Sequence, residues 1–211
     1  MAWVDQAIEM VIEASRRQEK LQVEIERDMA HWDRMGKESK APADRQMPWM
    51  QFFHPREGSC ILELGCHKGA NLLKWCLGGH VCHGVDPSAS CIEHWDERAL
   101  TGSAEVGWGQ DYDGEEGWDY VVLASVLEST EDPLPLLKAV RRALRPQGEA
   151  YVTTLTCWYD GKGPNDTQAR FYTVPQLWRA MGRAGLSPTR TLLWGSKPYR
   201  HVICWARRLD N

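Results

Sequence analysis

The sequence has 211 residues, which suits one α/β domain with an added end segment and leaves little room for two independent hydrophobic cores. Hydrophobic residues make up 43% of the chain and the formal net charge is -4, so nucleic acid is not a favoured partner. The sequence contains neither an apolar run of about 20 residues nor a signal-peptide pattern, which predicts a soluble, cytoplasmic protein without a membrane partner.

A predicted helical arm and linker occupy residues 1–48, and the main domain occupies residues 49–211. Apolar residues recur three or four positions apart within residues 3–34, as on one face of an amphipathic helix. Residues 36–48 are rich in charged residues, Gly and Pro, which is typical of a linker. The apolar face needs a covering surface, so we expect the arm to cover an edge or the ligand site of the main domain, or to form a homodimer.

The main domain alternates short apolar runs with helical segments, which is the pattern of βαβ units in a parallel sheet. The pattern changes near the end, where two strand-like runs flank a turn and predict a C-terminal hairpin. The predicted strands are residues 60–64, 81–85, 104–108, 120–124, 150–155, 189–194 and 201–207, and the predicted helices are residues 71–77, 89–99, 133–144 and 174–184.

A glycine-containing turn follows the first predicted strand and leads into a helix. Gly65 and Gly69 allow the backbone to turn tightly and to approach a ligand closely, where a Cβ would collide with it. The acid Glu63 precedes this turn, and the helix that follows offers free amide groups at its start. A simple connection between a strand and a helix is the alternative interpretation of this segment.

A second acid, Asp86, follows the second predicted strand and precedes Pro87 and Ser88. The carboxyl ends of parallel strands meet at one edge of the sheet, where open α/β folds bind their ligands. An acid at this position can accept hydrogen bonds from both hydroxyl groups of a ribose. The alternative role of Asp86 is that of a helix N-cap.

Together these segments resemble the class I S-adenosylmethionine-dependent methyltransferases, which have a Rossmann-like fold. The first motif of that family has an acid followed by glycines at alternate positions, as in Glu63, Gly65 and Gly69. Asp86 matches the acid after the family's second strand. The longest match is residues 118–149, which are similar to the family's fourth strand, crossover helix and fifth strand.

Three positions depart from the family pattern. His67 replaces the middle glycine of the first motif, while Ser129 and Gln147 stand where family members often have the His of Leu-Glu-His and the first Gly of Pro-Gly-Gly. The resemblance covers about residues 60–186. It ends with residues 170–177, which are similar to the segment that opens the last helix in many small-molecule methyltransferases.

The resemblance implies a doubly wound, Rossmann-like sheet of seven strands, the last antiparallel, with S-adenosylmethionine as cofactor. It implies that Glu63 holds the ammonium group of the methionine part and that Asp86 accepts the ribose hydroxyls. Asp111 matches an acid beside the adenine amino group, and a solvated loop acid is its alternative interpretation. The implied cofactor-binding residues are Glu63, Gly65, His67, Gly69, Asp86, Pro87, Asp111 and Ser125.

The methyl acceptor is not identified by the sequence, and we expect a small molecule. Methyl transfer is a direct displacement, so the protein mainly supplies alignment and excludes water, and a general base is needed only for some acceptors. In related folds the loops after strands four and five border the methyl group, so residues 157–169 are either a lid or an ordinary surface connection. The acceptor-side candidates are Trp158, Tyr159, Asp160 and Tyr172.

The residues argue against two other kinds of site. A dinucleotide fingerprint needs glycines at its first, third and sixth positions, but these positions hold Gly65, His67 and Ala70. Four Cys and four His crowd into residues 66–94, yet no Cys pair there has the C-x₂₋₄-C spacing of structural zinc, and we predict no metal site. The odd count of seven Cys favours reduced thiols over disulfides.

A protein that keeps the methyltransferase fold but only binds ligands or partners is the alternative function. The replacements at His67 and Ser129, together with the helical arm, support it. Binding of the cofactor and turnover of an acceptor are the two measurements that separate this alternative from an enzyme.

Overall fold

The computed structural model describes residues 13, 26–38, 47–95, 102–114, 116–156, 171–196 and 199–210. Within these residues, no helix is long and apolar enough to cross a membrane. The helices are α1 (residues 26–38), α2 (Ala70–Leu77), α3 (Ala89–Glu93), α4 (Pro133–Ala143) and α5 (Val174–Arg183). The strands are β1 (Cys60–Leu64), β2 (Val81–Asp86), β3 (Gly102–Val106), β4 (Trp118–Ala124), β5 (Leu144–Thr156), β6 (Leu186–Ser196) and β7 (Tyr199–Arg208).

The seven strands form one sheet in the order β3-β2-β1-β4-β5-β7-β6. Strands β1 to β5 pair in parallel, and β7 pairs antiparallel with both β5 and β6. These pairings confirm the predicted doubly wound sheet and its C-terminal hairpin. The chain reverses its direction of progress between β1 and β4, so the carboxyl ends of these strands form the switch point where such sheets bind ligands.

The core has two layers because successive strand residues point to opposite faces of the sheet. Leu62 and Val152 belong to the layer under α4 and α5, which is rich in Leu, Val and Ala. Ile61 and Tyr151 belong to the other layer, together with α2 and the aromatic residues of a 3₁₀ turn at Pro48–Phe52. Both faces of the sheet are therefore covered, as expected of a mostly parallel sheet.

The starts of α4 and α5 follow sequence signals and agree with the predicted boundaries. Thr173 and Gln176 form a capping box at the start of α5, in which the Thr173 N–H donates to Gln176 Oε1 at 2.8 Å. Asp132 caps α4 by accepting a hydrogen bond from the Leu134 N–H at 3.0 Å. Gly185 follows α5 with φ of 79°, as predicted for a residue just past a helix end.

Strands β2, β4, β6 and β7 extend one to three residues beyond their predicted bounds, and β3 and β5 differ in more informative ways. Strand β3 begins at Gly102 rather than at residue 104, because its start is fixed by pairing with Cys82 on β2 and not by the low strand propensity of Gly. Strand β5 begins at Leu144, and Gln147 inside it has a left-handed φ of 65°. The left-handed residue of this turn is therefore Gln147 and not Gly148. Gly148 serves close packing instead, because a Cβ on it would lie only 2.9 Å from the Trp118 carbonyl oxygen.

The N-terminal helix also differs from its prediction. Within the described residues, α1 runs to residue 38, so Gly36 lies inside a helix and not in a linker. Gly36 is buried against α3, and this contact outweighs the low helix propensity of Gly. Helix α3 ends at Glu93, so residues 94 and 95 of the helix predicted over residues 89–99 are not helical. Predicted helical residues 96–99 lie outside the described residues, as do residues 39–46 of the predicted linker.

Candidate functional site

The turn after β1 contains three residues in left-handed conformations. Gly65, His67 and Gly69 have φ of 82°, 49° and 75°. A Cβ on Gly65 would overlap with the side chain of Val126, which follows β4, and a Cβ on Gly69 would lie 2.5 Å from the Trp95 ring. Glycine at both positions therefore lets the turn close against its neighbours at the switch point of the sheet.

Glu63 lies at the carboxyl end of β1 and is only 1% exposed. The Asn71 side-chain amide donates to its Oε1 at 2.6 Å, and its Oε2 is buried without a hydrogen-bond partner among the described residues. Burial raises the pKa of Glu63 to about 8, the charge of Asp86 adds to the increase, and the hydrogen bond from Asn71 opposes it. A cation or strong donor placed at Oε2 would favour the ionised form.

Asp86 lies at the carboxyl end of β2 and is 8% exposed. Its Oδ2 accepts from the His67 N–H at 2.8 Å, and its Oδ1 accepts from the Ser88 N–H at 2.9 Å. Burial raises the pKa of Asp86, and the two backbone hydrogen bonds lower it. Both oxygens are thus held in place by the backbone, and each still has a lone pair available for a ligand hydroxyl.

The helix N-cap interpretation of Asp86 is wrong, because Ser88 takes that role. Ser88 precedes α3 in an extended conformation, and its hydroxyl accepts a hydrogen bond from the Cys91 N–H at 3.2 Å. Asp86 instead joins the start of α3 to the turn after β1. It is a bridge between the two loops that follow β1 and β2.

His67 adopts the backbone conformation that the family's glycine favours. A non-glycine residue pays roughly 1–2 kcal/mol for a left-handed conformation, and the hydrogen bond from its N–H to Asp86 helps to hold it. The imidazole is half-buried, and this burial lowers its pKa although the nearby Asp86 charge acts in the opposite direction. The departure at this position therefore preserves the turn.

The remaining predicted cofactor residues lie after β2, β3 and β4. Pro87 is half-buried between Asp86 and Ser88. Ser125 has φ of 59°, and its N–H donates to the Thr153 carbonyl at 3.0 Å. Asp111 is exposed at the end of a 3₁₀ turn. The structure thus brings Glu63, the glycine turn and Asp86 into one edge, with Ser125 across the switch point.

Three acceptor-side candidates, Trp158, Tyr159 and Asp160, lie outside the described residues. The fourth, Tyr172, is buried in the core, where its hydroxyl donates to the Leu127 carbonyl at 3.3 Å. The Tyr172 backbone N–H also donates to the Leu155 carbonyl at 3.1 Å. Tyr172 therefore anchors the segment before α5 to the end of β5.

Two polar residues of this edge were not identified from the sequence. Glu128 follows β4 and is buried, and its Oε2 accepts from the Thr154 hydroxyl at 2.7 Å. Burial raises the pKa of Glu128, and the bond from Thr154 lowers it. The second of these residues is Asn71, whose side-chain amide donates to Glu63. An acid four residues after the end of a buried strand was a usable signal for Glu128, whereas no local pattern marks Asn71 as a partner of Glu63.

The cluster of Cys and His residues is distributed through the sheet. His83 lies 2.8 Å from the Ser103 hydroxyl through Nδ1 and 3.5 Å from the Glu105 carboxylate through Nε2. Cys66 and Cys82 are buried, and their thiol pKa values are raised. In the part of the chain that the structure describes, no group of three or more His, Cys, Asp or Glu residues is arranged to hold a metal ion.

Comparison with known proteins gives a family and a set of similar folds. The sequence profile of a family described as a methyltransferase domain matches residues 42–202. Burkholderia thailandensis 1,6-didemethyltoxoflavin-N1-methyltransferase, solved with 1,6-didemethyltoxoflavin and S-adenosylhomocysteine, has a TM-score of 0.70 and 20% identity over 92% of this chain and 90% of that chain. No curated protein sequence matches this chain closely.

Two further solved structures show the range of proteins with a similar fold. Magnesium protoporphyrin IX methyltransferase from Synechocystis PCC 6803, with bound S-adenosylhomocysteine, has a TM-score of 0.62 and 17% identity over 76% of this chain and 78% of that chain. The [4+2]-cyclase SpnF has a TM-score of 0.66 and 13% identity over 74% of this chain and 77% of that chain. Similarity at these identities concerns the fold alone.

Proposed function

This chain belongs to the methyltransferase-domain family and is an S-adenosylmethionine-dependent methyltransferase, and we propose that its sheet-edge site transfers the methyl group to a small molecule. The observation that supports this site best is the pair of buried acids Glu63 and Asp86 on either side of the glycine turn. The backbone of His67 joins the glycine turn to Asp86, because its N–H donates to the Asp86 carboxylate.

The residues of this edge fit the cofactor. The buried Oε2 of Glu63 lacks a partner among the described residues and can accept a hydrogen bond from an ammonium group. Asp86 has two oriented oxygens that can accept from two adjacent ribose hydroxyls. We place the methionine part of the cofactor against the left-handed backbone of the turn between Gly65 and Gly69. Pro87, Asp111 and Ser125 complete the proposed contacts.

When bound, S-adenosylmethionine would supply a methyl group whose carbon a nucleophile can attack, because the positively charged sulfur leaves as a neutral thioether. The chain's own contribution is to align the acceptor and exclude water at this edge. We place the acceptor beside the segment that follows β5, which contains Trp158, Tyr159 and Asp160. Tyr172, the second described residue after that segment, is held by its backbone N–H to Leu155 on β5 and by its hydroxyl to Leu127.

A small-molecule acceptor is supported by the proteins with a similar fold. The printed names of two of them identify methyltransferases of 1,6-didemethyltoxoflavin and of magnesium protoporphyrin IX. The similar fold of a protein named as a [4+2]-cyclase indicates that this fold is not confined to methyl transfer. The alternative function is a methyltransferase-like protein that only binds ligands or partners. Cytoplasmic location and dimerisation through the arm remain predictions from the sequence.

Ligand binding followed by turnover tests the proposal. S-adenosylmethionine and S-adenosylhomocysteine at millimolar concentration are expected to raise the melting temperature, because a ligand that binds the folded state stabilises it by mass action. NAD is the control ligand, since the dinucleotide glycine pattern is missing. Labelled S-adenosylmethionine is then tested with panels of small molecules, glycans, proteins and RNA. An unchanged melting temperature argues against the site, and binding without transfer to any panel supports the alternative.

A further inference from the structure

Helix α1 is attached to the start of α3 by hydrogen bonds between residues far apart in the chain. The Ser90 N–H donates to Asp33 Oδ1 at 2.8 Å, and the Ser90 hydroxyl donates to the Asp33 carbonyl oxygen at 3.1 Å. Lys37, one turn later on α1, lies 2.7 Å from Asp33 Oδ2 through its Nζ. The hydrogen bond from Lys37, followed by those from Ser90, lowers the pKa of Asp33 to about 2, so the carboxylate stays ionised at neutral pH.

A glycine allows the two helices to approach closely. Gly36 is buried, and a Cβ on it would overlap with Ser88 Oγ and lie 2.6 Å from Cys91 Sγ. Gly36 does not have the left-handed backbone of Gly65, so space alone accounts for the glycine at this position. The contact between α1 and α3 is thus specified by both a carboxylate and a missing side chain.

The contact continues to Asp86 through two serines. The Ser88 and Ser90 hydroxyl oxygens are 3.1 Å apart. The Ser90 hydrogen is directed to Asp33, so Ser88 is the donor between the two hydroxyls. The Ser88 backbone N–H then donates to Asp86 Oδ1 at 2.9 Å. A continuous chain of hydrogen bonds therefore links α1 to the acid proposed to hold the ribose.

We propose that Asp33 and Gly36 are positioning residues of the cofactor site, which act on Asp86 through Ser90 and Ser88. This inference rests on the proposed role of Asp86 in cofactor binding. Docked α1 fixes the loop between β2 and α3, and the loop fixes one oxygen of Asp86. Coupling of this kind is reciprocal, so a bound cofactor also strengthens the docking of α1.

Affinity for S-adenosylhomocysteine, measured by calorimetry on the full chain, tests the coupling. Asp33→Ala removes the carboxylate that holds the Ser90 N–H and Lys37 but keeps the backbone carbonyl that accepts from the Ser90 hydroxyl, so Kd is expected to rise only about fivefold. Asp28→Ala is the matched control, because Asp28 is an exposed acid on the same helix, and its Kd is expected to stay within about twofold of the wild type. Asp33→Asn keeps an oxygen acceptor for the Ser90 N–H and is expected to recover most of the affinity.

Hydrogen exchange of α1 separates positioning from a general loss of structure. S-adenosylhomocysteine is expected to slow exchange in residues 26–38 of the wild type and of Asp28→Ala, but not of Asp33→Ala or Gly36→Val. Wild-type affinity and wild-type protection in the folded Asp33→Ala and Gly36→Val variants would overturn the inference. A wild type that does not bind S-adenosylhomocysteine at all would instead contradict the proposed function.

Discussion

Acidic residues at the two ends of the parallel strands have different partners. We call the side of the sheet where these strands begin the amino edge and the side where they end the carboxyl edge. At the carboxyl edge, Glu63, Asp86 and Glu128 are buried and hydrogen-bonded by an amide, by backbone N–H groups and by a hydroxyl. Among the described residues, none of these three forms a salt bridge with Lys or Arg. Burial raises the pKa of each of them.

The acids of the amino edge are paired with arginines. Asp119 at the start of β4 contacts Arg145 and lies 3.8 Å from Arg56, and it also accepts from the Cys60 N–H at 2.8 Å. Glu149 on β5 pairs with Arg207 on β7 at 3.1 Å. These contacts connect strands that are distant in sequence, so they stabilise the order of the sheet.

The arginine-paired acids of the amino edge stabilise the fold, whereas the buried acids of the carboxyl edge can still bind a ligand. Removing an acid from water costs free energy unless a partner compensates for it. Arginines provide this partner at the amino edge. At the carboxyl edge, the part of the chain that the structure describes offers these acids only uncharged hydrogen-bond donors. An uncompensated buried acid in a ligand-binding fold is a candidate binding group, and Glu63 and Asp86 are the two that flank the glycine turn.

The largest expected effect is a loss of stability at the amino edge. Asp119→Ala leaves Arg145 and the Cys60 N–H without their partner, so we expect the free energy of unfolding to fall by about 3 kcal/mol. Urea denaturation measures this change, and Kd for S-adenosylhomocysteine should stay within about twofold of the wild type. Glu149→Gln is the control, with a change below about 0.5 kcal/mol, because the amide still accepts a hydrogen bond and the exposed Arg207 can be solvated by water. If both variants lost the same free energy of unfolding, Asp119 would not be the more important stabilising acid of the amino edge.

The next effect is a loss of affinity at the carboxyl edge. Asp86→Ala removes the proposed acceptor of the ribose hydroxyls, so we expect S-adenosylhomocysteine binding to weaken by about 2 kcal/mol, or roughly 30-fold in Kd. Circular dichroism should show an unchanged fold. Asp113→Ala, which removes an exposed acid after β3, should leave Kd unchanged. A folded Asp86→Ala protein with wild-type affinity would make Asp86 a purely structural link between two loops.

A third effect is a pH dependence of stability due to Glu63. Its folded-state pKa of about 8 lies above the ordinary 4.5, so between these pH values the folded protein keeps a proton that the unfolded chain releases. Wild-type stability therefore falls as pH rises through this range. Glu63→Gln still accepts from Asn71 but cannot ionise. We expect its stability, relative to wild type, to be about 3 kcal/mol higher at pH 8 than at pH 5.

Urea denaturation of both proteins without ligand at several pH values measures this difference. A Glu63→Gln curve parallel to the wild-type curve would show that Glu63 is ionised in the folded protein at neutral pH. The same variant should also bind S-adenosylhomocysteine more weakly, because a neutral amide does not attract an ammonium group as a carboxylate does.

Local patterns were sufficient to predict most of the sheet and the first contacts of the site. Alternation of strands and helices predicted a parallel α/β sheet, and the resemblance to class I methyltransferases supplied its seven strands. The position of Asp86 after a strand predicted its place at the carboxyl edge. Contacts between distant residues were not predictable in this way. The link from Asp33 to Ser90 spans 57 residues, and it depends on how α1 lies on the folded domain. Gly36 was assigned to a linker because composition marks Gly as a breaker but does not show tight packing.

The position of β7 has a consequence for the order in which the protein can fold during synthesis. Strand β7 is the last strand in chain order, yet it pairs with β5 from Glu149↔Arg207 to Thr156↔Arg200 and separates β5 from β6. When β6 leaves the ribosome, it has no neighbour with which to pair, and one side of β5 still exposes its backbone groups. The second half of the sheet must therefore wait for β7, and a nascent chain that stops before this strand exposes two strand edges that are prone to aggregation.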